Sequence, residues 1–197
     1  INNHIYHKFN FELESGEKIF IVGKSGCGKS SFIKAMLGYI NHEGNILYDN
    51  KLKEVNLFCW MPQEYLALEG TIKLNLQLGN SSATTEEMWN VLEKVHLSEK
   101  VKLLGGLDSY INYNGNNLSG GENQRLSLAR AMLSKHPILL LDEPSSAMDV
   151  SLEKDIFKEI LKLNKTSFIV VHKLKAIPDK SKILFIRNKT EYIIDTL

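Results

Sequence analysis

Gly23-Lys24-Ser25-Gly26-Cys27-Gly28-Lys29-Ser30 is the stretch whose reading decides the fold. It fits G-x-x-x-x-G-K-[ST], a spacing in which glycines let successive backbone N–H groups curl into a nest around an anion. An apolar, strand-like run at residues 19–22 precedes it. A helical pattern at residues 30–37, closed by Gly38, follows it. A helix starting there aims the positive end of its dipole at the same anion. In such a loop the lysine, here Lys29, reaches the β- and γ-phosphates, and the hydroxyl, here Ser30, holds Mg2+. The stretch therefore predicts a nucleoside triphosphate site. Cys27 reads most simply as a small filler at a variable loop position, with a redox switch as the rival reading. A thiol-blocking reagent is expected to inhibit turnover, and bound nucleotide to protect.

Working outward, short apolar runs alternate with helical patterns, which predicts a mostly parallel sheet with helices packed on it. Residues 138–141 and 168–171 read as central strands buried on both faces. Between them, residues 152–163 read as an amphipathic helix with Ile156, Ile160 and Leu163 on one side. Residues 46–48 and 55–60 read as strands of a small antiparallel region, and residues 183–186 and 192–194 as strands that close the sheet. Residues 84–95 have helical composition, with Thr84 or Thr85 as cap and Glu86 and Glu87 in the first turn.

The strand at 138–141 ends in Asp142 and Glu143. Delivered beside the loop, Asp142 would join the Mg2+ shell and Glu143 would orient or deprotonate the attacking water. A strand followed by an acidic turn is common, so this signal gains force only from the loop upstream. Leu118-Ser119-Gly120-Gly121-Glu122 opens a helix that carries Gln124, Arg125 and Arg130, with Leu126, Ala129 and Leu133 along one face. A serine and two glycines at a helix start form a second anion site, and Ser119 with Glu122 also makes a capping box. Both roles can coexist.

Bulk properties narrow the classes. The chain has 197 residues, 43% hydrophobic and 24% charged, enough for one sizeable α/β domain. A formal net charge of +1 gives no electrostatic case for nucleic acid or for a polybasic membrane anchor. No apolar run approaches the roughly 20 residues that span a bilayer. Two cysteines, Cys27 and Cys59, do not make a disulfide framework. The chain begins at Ile1 rather than Met, which reads as a piece of a longer polypeptide.

Taken in order, the loop, Leu-Ser-Gly-Gly-Glu at 118–122 and Leu-Leu-Leu-Asp-Glu-Pro at 139–144 resemble the ATP-binding cassette of ABC proteins. The resemblance covers about residues 9–195. It implies an α/β fold: a P-loop NTPase (RecA-like) core, a small antiparallel β subdomain and an α-helical subdomain. It implies one ATPase domain over 1–197, with the catalytic core at about 1–65 and 118–197 and the helical subdomain at about 66–117. ATP and Mg2+ are the implied ligands. Ser119, Gly120 and Gly121 match the family's signature, which contacts the γ-phosphate held by a second, head-to-tail copy. Gln63 resembles the glutamine that contacts Mg2+ and water, and Asp149, in residues 145–149, resembles the acid at the dimer seam. His172 resembles the histidine that contacts the γ-phosphate. Lys29 and Glu143 keep the roles given above, and Ser30, Gln63 and Asp142 form the implied metal set.

Residues 69–76 look like a stretch of exporter-type cassettes, whereas Pro144 resembles importers and other branches. The expectation is an exporter cassette at the cytoplasmic face of a membrane, its transmembrane domain fused upstream, with no nucleic-acid partner. Two other readings stay open: a non-transport cassette of translation, chromosome or DNA-repair type, and a regulatory ATP-binding module. The chain departs from the family pattern in three places. Tyr6 lies too close to Gly16 to be the aromatic residue that stacks on adenine. Residues 44–63 are short for an antiparallel subdomain. Tyr110, Tyr113 and Asn114 stand where exporters often carry acids that touch the membrane domain.

Overall fold

The computed structural model describes residues 9–48, 51–52, 55–64, 67–113, 117–172, 174–187 and 192–196. Tyr6 and Asn114 lie outside them. In chain order the elements are β1 (Lys18–Gly23), α1 (Lys29–Leu37), β2 (Leu47–Tyr48), β3 (Lys51–Leu52), β4 (Phe58–Met61), β5 (Gly70–Thr71), α2 (Ile72–Gln77), α3 (Thr85–Lys94), α4 (Ser98–Leu103) and β6 (Tyr110–Ile111). They continue with α5 (Gly120–Leu133), β7 (Ile138–Asp142), α6 (Val150–Leu161), β8 (Thr166–Val171), β9 (Lys182–Ile186) and β10 (Tyr192–Thr196). They fall into two compact units: Ile1–Trp60 with His136–Glu143 and Asn164–Leu197, and Met61–Lys135 with Pro144–Leu163.

The first unit is built on a six-stranded sheet of order β10-β9-β1-β8-β7-β4. β1 runs parallel to β8 and β9, β7 runs parallel to β8, and β10 runs antiparallel to β9. The residue types explain the centre. β1, β7 and β8 read Ile-Phe-Ile-Val, Ile-Leu-Leu-Leu and Phe-Ile-Val-Val, branched and aromatic runs suited to strands buried on both faces. Alternate residues Ile19, Ile21, Ile138, Leu140, Phe168 and Val170 share one core with Ile33, Met36 and Leu37 of α1. Their neighbours Phe20, Leu139, Leu141 and Ile169 are fully buried as well. At the N-terminal end of β1, Lys182 Nζ pairs with Glu17 Oε1 at 2.8 Å.

One expected strand has a different place. The segment 55–60 does not join the small antiparallel region. Val55–Leu57 is a 3-10 turn, and β4 lies at the edge of the main sheet beside β7. The antiparallel pair is β2 with β3, Leu47 opposite Leu52. A four-residue strand takes its place from long-range pairing, which a local pattern does not encode.

The second unit carries the other helices and the β5–β6 pair. α3 begins with a full capping box between Thr84 and Glu87, and Thr71 Oγ1 caps α2 by accepting from Leu74 N. Asn75, fully buried on α2, donates to Leu68 O and Thr71 O, and its side-chain oxygen accepts from Arg130 Nη2 at 2.8 Å. α6 ends at Leu161, so Leu163 lies beyond the helix and is half-buried, whereas Ile156 and Ile160 are buried on it. Among the described residues no helix is long and apolar enough to cross a membrane.

Candidate active site

In the first unit, β1 delivers the glycine-rich loop and α1 leaves it. Gly23 is demanded by close approach: a Cβ there would lie 2.4 Å from Ile186 O and 2.6 Å from Cys27 Sγ. Gly28 sits at the N-cap of α1 with φ 111°, a left-handed conformation that favours glycine, and contributes no side-chain cap. α1 has no acidic residue in its first turn. Its N-terminal amide groups thus face the loop with nothing of the helix's own to neutralise their dipole. Lys24, Ser25 and Gly26 are exposed, whereas Cys27 is buried in the core against α1, as a filler would be. Lys29 is only 5% exposed, and its Nζ donates to Gly23 O at 2.9 Å and to Lys24 O at 3.3 Å. The loop's own carbonyls thus hold the ammonium at the mouth of the nest.

Asp142 ends β7 and is 4% exposed. Its carboxyl hydrogen-bonds the Ser30 side chain, which brings the two expected metal ligands together. Its other oxygen, Oδ1, is buried and has no partner among the described residues. Burial pushes this carboxyl above the usual carboxylate range; the Ser30 bond pulls it down and the Glu143 charge adds to the rise. An orphaned, desolvated carboxylate oxygen beside a serine hydroxyl suits a hard cation, which takes oxygen ligands. Ser30 and Asp142 therefore fit Mg2+.

Glu143 follows at once. It is buried, and its φ of 55° is left-handed for a residue with a Cβ, a conformation costing roughly 1–2 kcal/mol. Its N–H still donates to Val170 O at 3.1 Å, so the chain turns sharply while staying tied to β8. The turn puts its Oε1 against His172 Nε2, just past β8, and the imidazole stays 44% exposed. Stored backbone strain of this kind clusters at functional sites. The sequence did not foretell the strain or the Glu143–His172 contact.

The remaining expected residues belong to the second unit. Ser119 caps α5: its Oγ accepts from Glu122 N at 3.2 Å, and Glu122 Oε2 accepts from Ser119 N at 2.7 Å. The capping box and the exposed glycine-led helix start coexist, with Ser119 and Gly120 open to solvent. Asp149 is exposed at the N-cap of α6, its Oδ1 accepting from Ser151 N and Leu152 N. Gln63 is exposed, in the segment after β4. One residue was missed as more than a helix member: Gln124 is wholly buried on α5. Its signal was present, since it shares a helix face with Leu128 and Ala131, where an apolar residue is the usual choice.

A parallel sheet that feeds a glycine-rich loop into a helix N-terminus, with an acid-tipped strand in the same sheet, defines a P-loop nucleotide-binding α/β fold. The chain belongs to the ABC transporter family, whose profile matches residues 6–146. It is 35% identical over 203 residues to the ABC transporter ATM1 of Plasmodium falciparum, covering 98% of this chain and 19% of that protein. It is 34% identical over 194 residues to an ATP-dependent lipid A-core flippase of Desulfotalea psychrophila, covering 93% of this chain and 34% of the flippase. Among solved structures it is similar to a bacterial Atm1-family ABC exporter with ATP bound, with a TM-score of 0.84 and 28% identity, over 94% of this chain and 34% of that one. The chain thus spans about a fifth to a third of the length of these relatives.

Proposed function

We propose that this cassette hydrolyses ATP and that the hydrolysis drives export through a membrane domain of the same protein. The observation that carries the proposal is the grouping at the end of β7: a buried Asp142 bonded to Ser30, and a strained Glu143 held against His172. A site that only bound nucleotide would have no need to hold a buried second carboxylate in a costly conformation.

The loop amides and Lys29 bind the phosphates, and the N-terminus of α1 adds its dipole. Ser30 and Asp142 would hold Mg2+, which would neutralise phosphate charge and polarise the γ-phosphoryl oxygens. Glu143 orients the attacking water and takes its proton, while His172 steadies the carboxylate and reaches the γ-phosphate from its exposed edge. Ser119, Gly120 and Gly121, exposed or half-exposed at the start of α5, complete the site of a second, head-to-tail copy, with Asp149 at the seam. Closing and reopening of that pair shifts the population of membrane-domain states. The names of the relatives, among them an exporter with ATP bound and a flippase, support association with a membrane, and the face proposed for the cassette is the cytoplasmic one.

The test is Glu143→Gln, which keeps the size and removes the base. Turnover should fall about 10²–10⁴-fold while ATP is still bound and a dimer accumulates. Full turnover in this variant would remove Glu143 from the chemistry.

A further inference from the structure

Gln124 is a polar residue with no place in the chemistry above, yet it is 0% exposed. Its side-chain nitrogen donates to Ser146 Oγ at 2.9 Å, and its side-chain oxygen accepts from Ala147 N at 3.0 Å. Two bonds of opposite polarity to consecutive residues need a primary amide, which offers a donor and an acceptor on one rigid plane. Nearby, Gly121 comes so close to the same loop that a Cβ would sit 3.1 Å from Ala147 O. From the other side the loop is tied to α6. Ser145 Oγ donates to the buried Glu153 Oε1 at 2.6 Å, and Asp149 caps that helix. The loop 145–149 is thereby held to the first turns of α5 and α6 at once, all inside the second unit.

We propose that Gln124 is a positioning residue that locks Ser119, Gly121 and Asp149 into one register, so that the second copy's nucleotide meets them as a preformed surface. The inference rests on the head-to-tail reading above. Gln124 touches no nucleotide and acts through the loop. Its effect falls on assembly and turnover, and nucleotide binding to the copy's own Gly23 loop is spared.

The experiment compares wild type, Gln124→Met, Ser146→Ala, Ser146→Thr and the Gln124→Met/Ser146→Ala double variant in the intact protein. It reads the dissociation constant for ATP with Mg2+, kcat, ATP-dependent dimerisation and the thermal midpoint. Loss of a buried amide's bonds should lower kcat and dimerisation roughly five- to tenfold. The dissociation constant should change less than about twofold in the same variants. Ser146→Ala should give part of the loss and Ser146→Thr should recover it, because the hydroxyl is restored. The double variant should be no worse than Gln124→Met, as expected of two partners in one interaction. A lower midpoint with wild-type kcat and dimerisation would make Gln124 merely structural and overturn the proposal. If Gln124→Met does not fold, the exposed Ser146 decides: wild-type kcat in Ser146→Ala also overturns it. A wild-type protein with no ATP turnover would remove the underlying reading and this proposal with it. Turnover in wild type that Gln124→Met leaves unchanged would remove this proposal alone.

Discussion

A methyl group placed on Gly23 probes the loop at its tightest point. In Gly23→Ala the new carbon would lie 2.4 Å from Ile186 O and 2.6 Å from Cys27 Sγ. Both are about 1 Å short of the roughly 3.5 Å at which non-bonded atoms attract. The first obstacle is backbone, not the end of a flexible side chain: Gly23 and Ile186 are register partners in the parallel β1–β9 pair. Either β9 moves away or the loop lifts. Overpacking of this kind costs about 1–3 kcal/mol, and a backbone obstacle argues for the upper half of that range. In a chain of this size that is a fall in thermal midpoint of roughly 5–10 °C. Function suffers separately, because Lys29 Nζ is anchored on Gly23 O. Shifting that anchor by about 1 Å should lower turnover on the order of 100-fold. The assay is a thermal melt with and without ATP and Mg2+, alongside steady-state turnover. Adding Cys27→Ala relieves the sulfur contact and leaves the carbonyl, so it should restore only part of the midpoint. A Gly23→Ala protein within about 0.5 kcal/mol of wild type and equally active would refute the packing argument.

Two further outcomes follow from the end of β7. Glu143→Gly removes the Cβ from a left-handed position, so the protein should gain roughly 1 kcal/mol of stability while losing turnover, read by denaturant unfolding and a phosphate-release assay. Asp142→Asn should stabilise the nucleotide-free protein at neutral pH and cancel the extra stability that ATP with Mg2+ provides. A carboxyl raised by burial keeps its proton longer in the folded state, so its contribution is full below the unfolded value and lost as pH rises through the folded one. The Asp142→Asn advantage should therefore be absent in strong acid and grow as pH climbs through and above the usual carboxylate range, as measured by melts across pH. An advantage that shrinks with rising pH would contradict the burial argument.

Much of the first unit was legible because its signals are local. Residues 19–22, the glycine spacing and the helix to Leu37 form one continuous pattern, and the structure places β1, the loop and α1 there. β7 and β8 announced themselves as unbroken apolar runs. The edge position of β4 was not legible, because pairing with β7 joins segments some eighty residues apart. The left-handed Glu143 was not legible either, since nothing in Asp-Glu-Pro specifies φ; the turn is imposed by the tie from Glu143 N to Val170 O. Gln124 could have been found by laying α5 on a helical wheel, where it falls among Leu128 and Ala131.

Under the proposed head-to-tail pairing, the Gly23–Ser30 loop of one copy works only with Ser119 of another, and mixing two disabled variants tests this most directly. Lys29→Met keeps an intact Ser119 but cannot fire its own loop, and Ser119→Arg keeps an intact loop but cannot complete its partner's. Each alone should be inactive. Mixed in equal amounts, half the dimers are hybrids with one of two sites whole, so activity should return to about one quarter of wild type. A mixture as inactive as its components, or a Ser119→Arg protein that hydrolyses ATP unaided, would contradict the shared site.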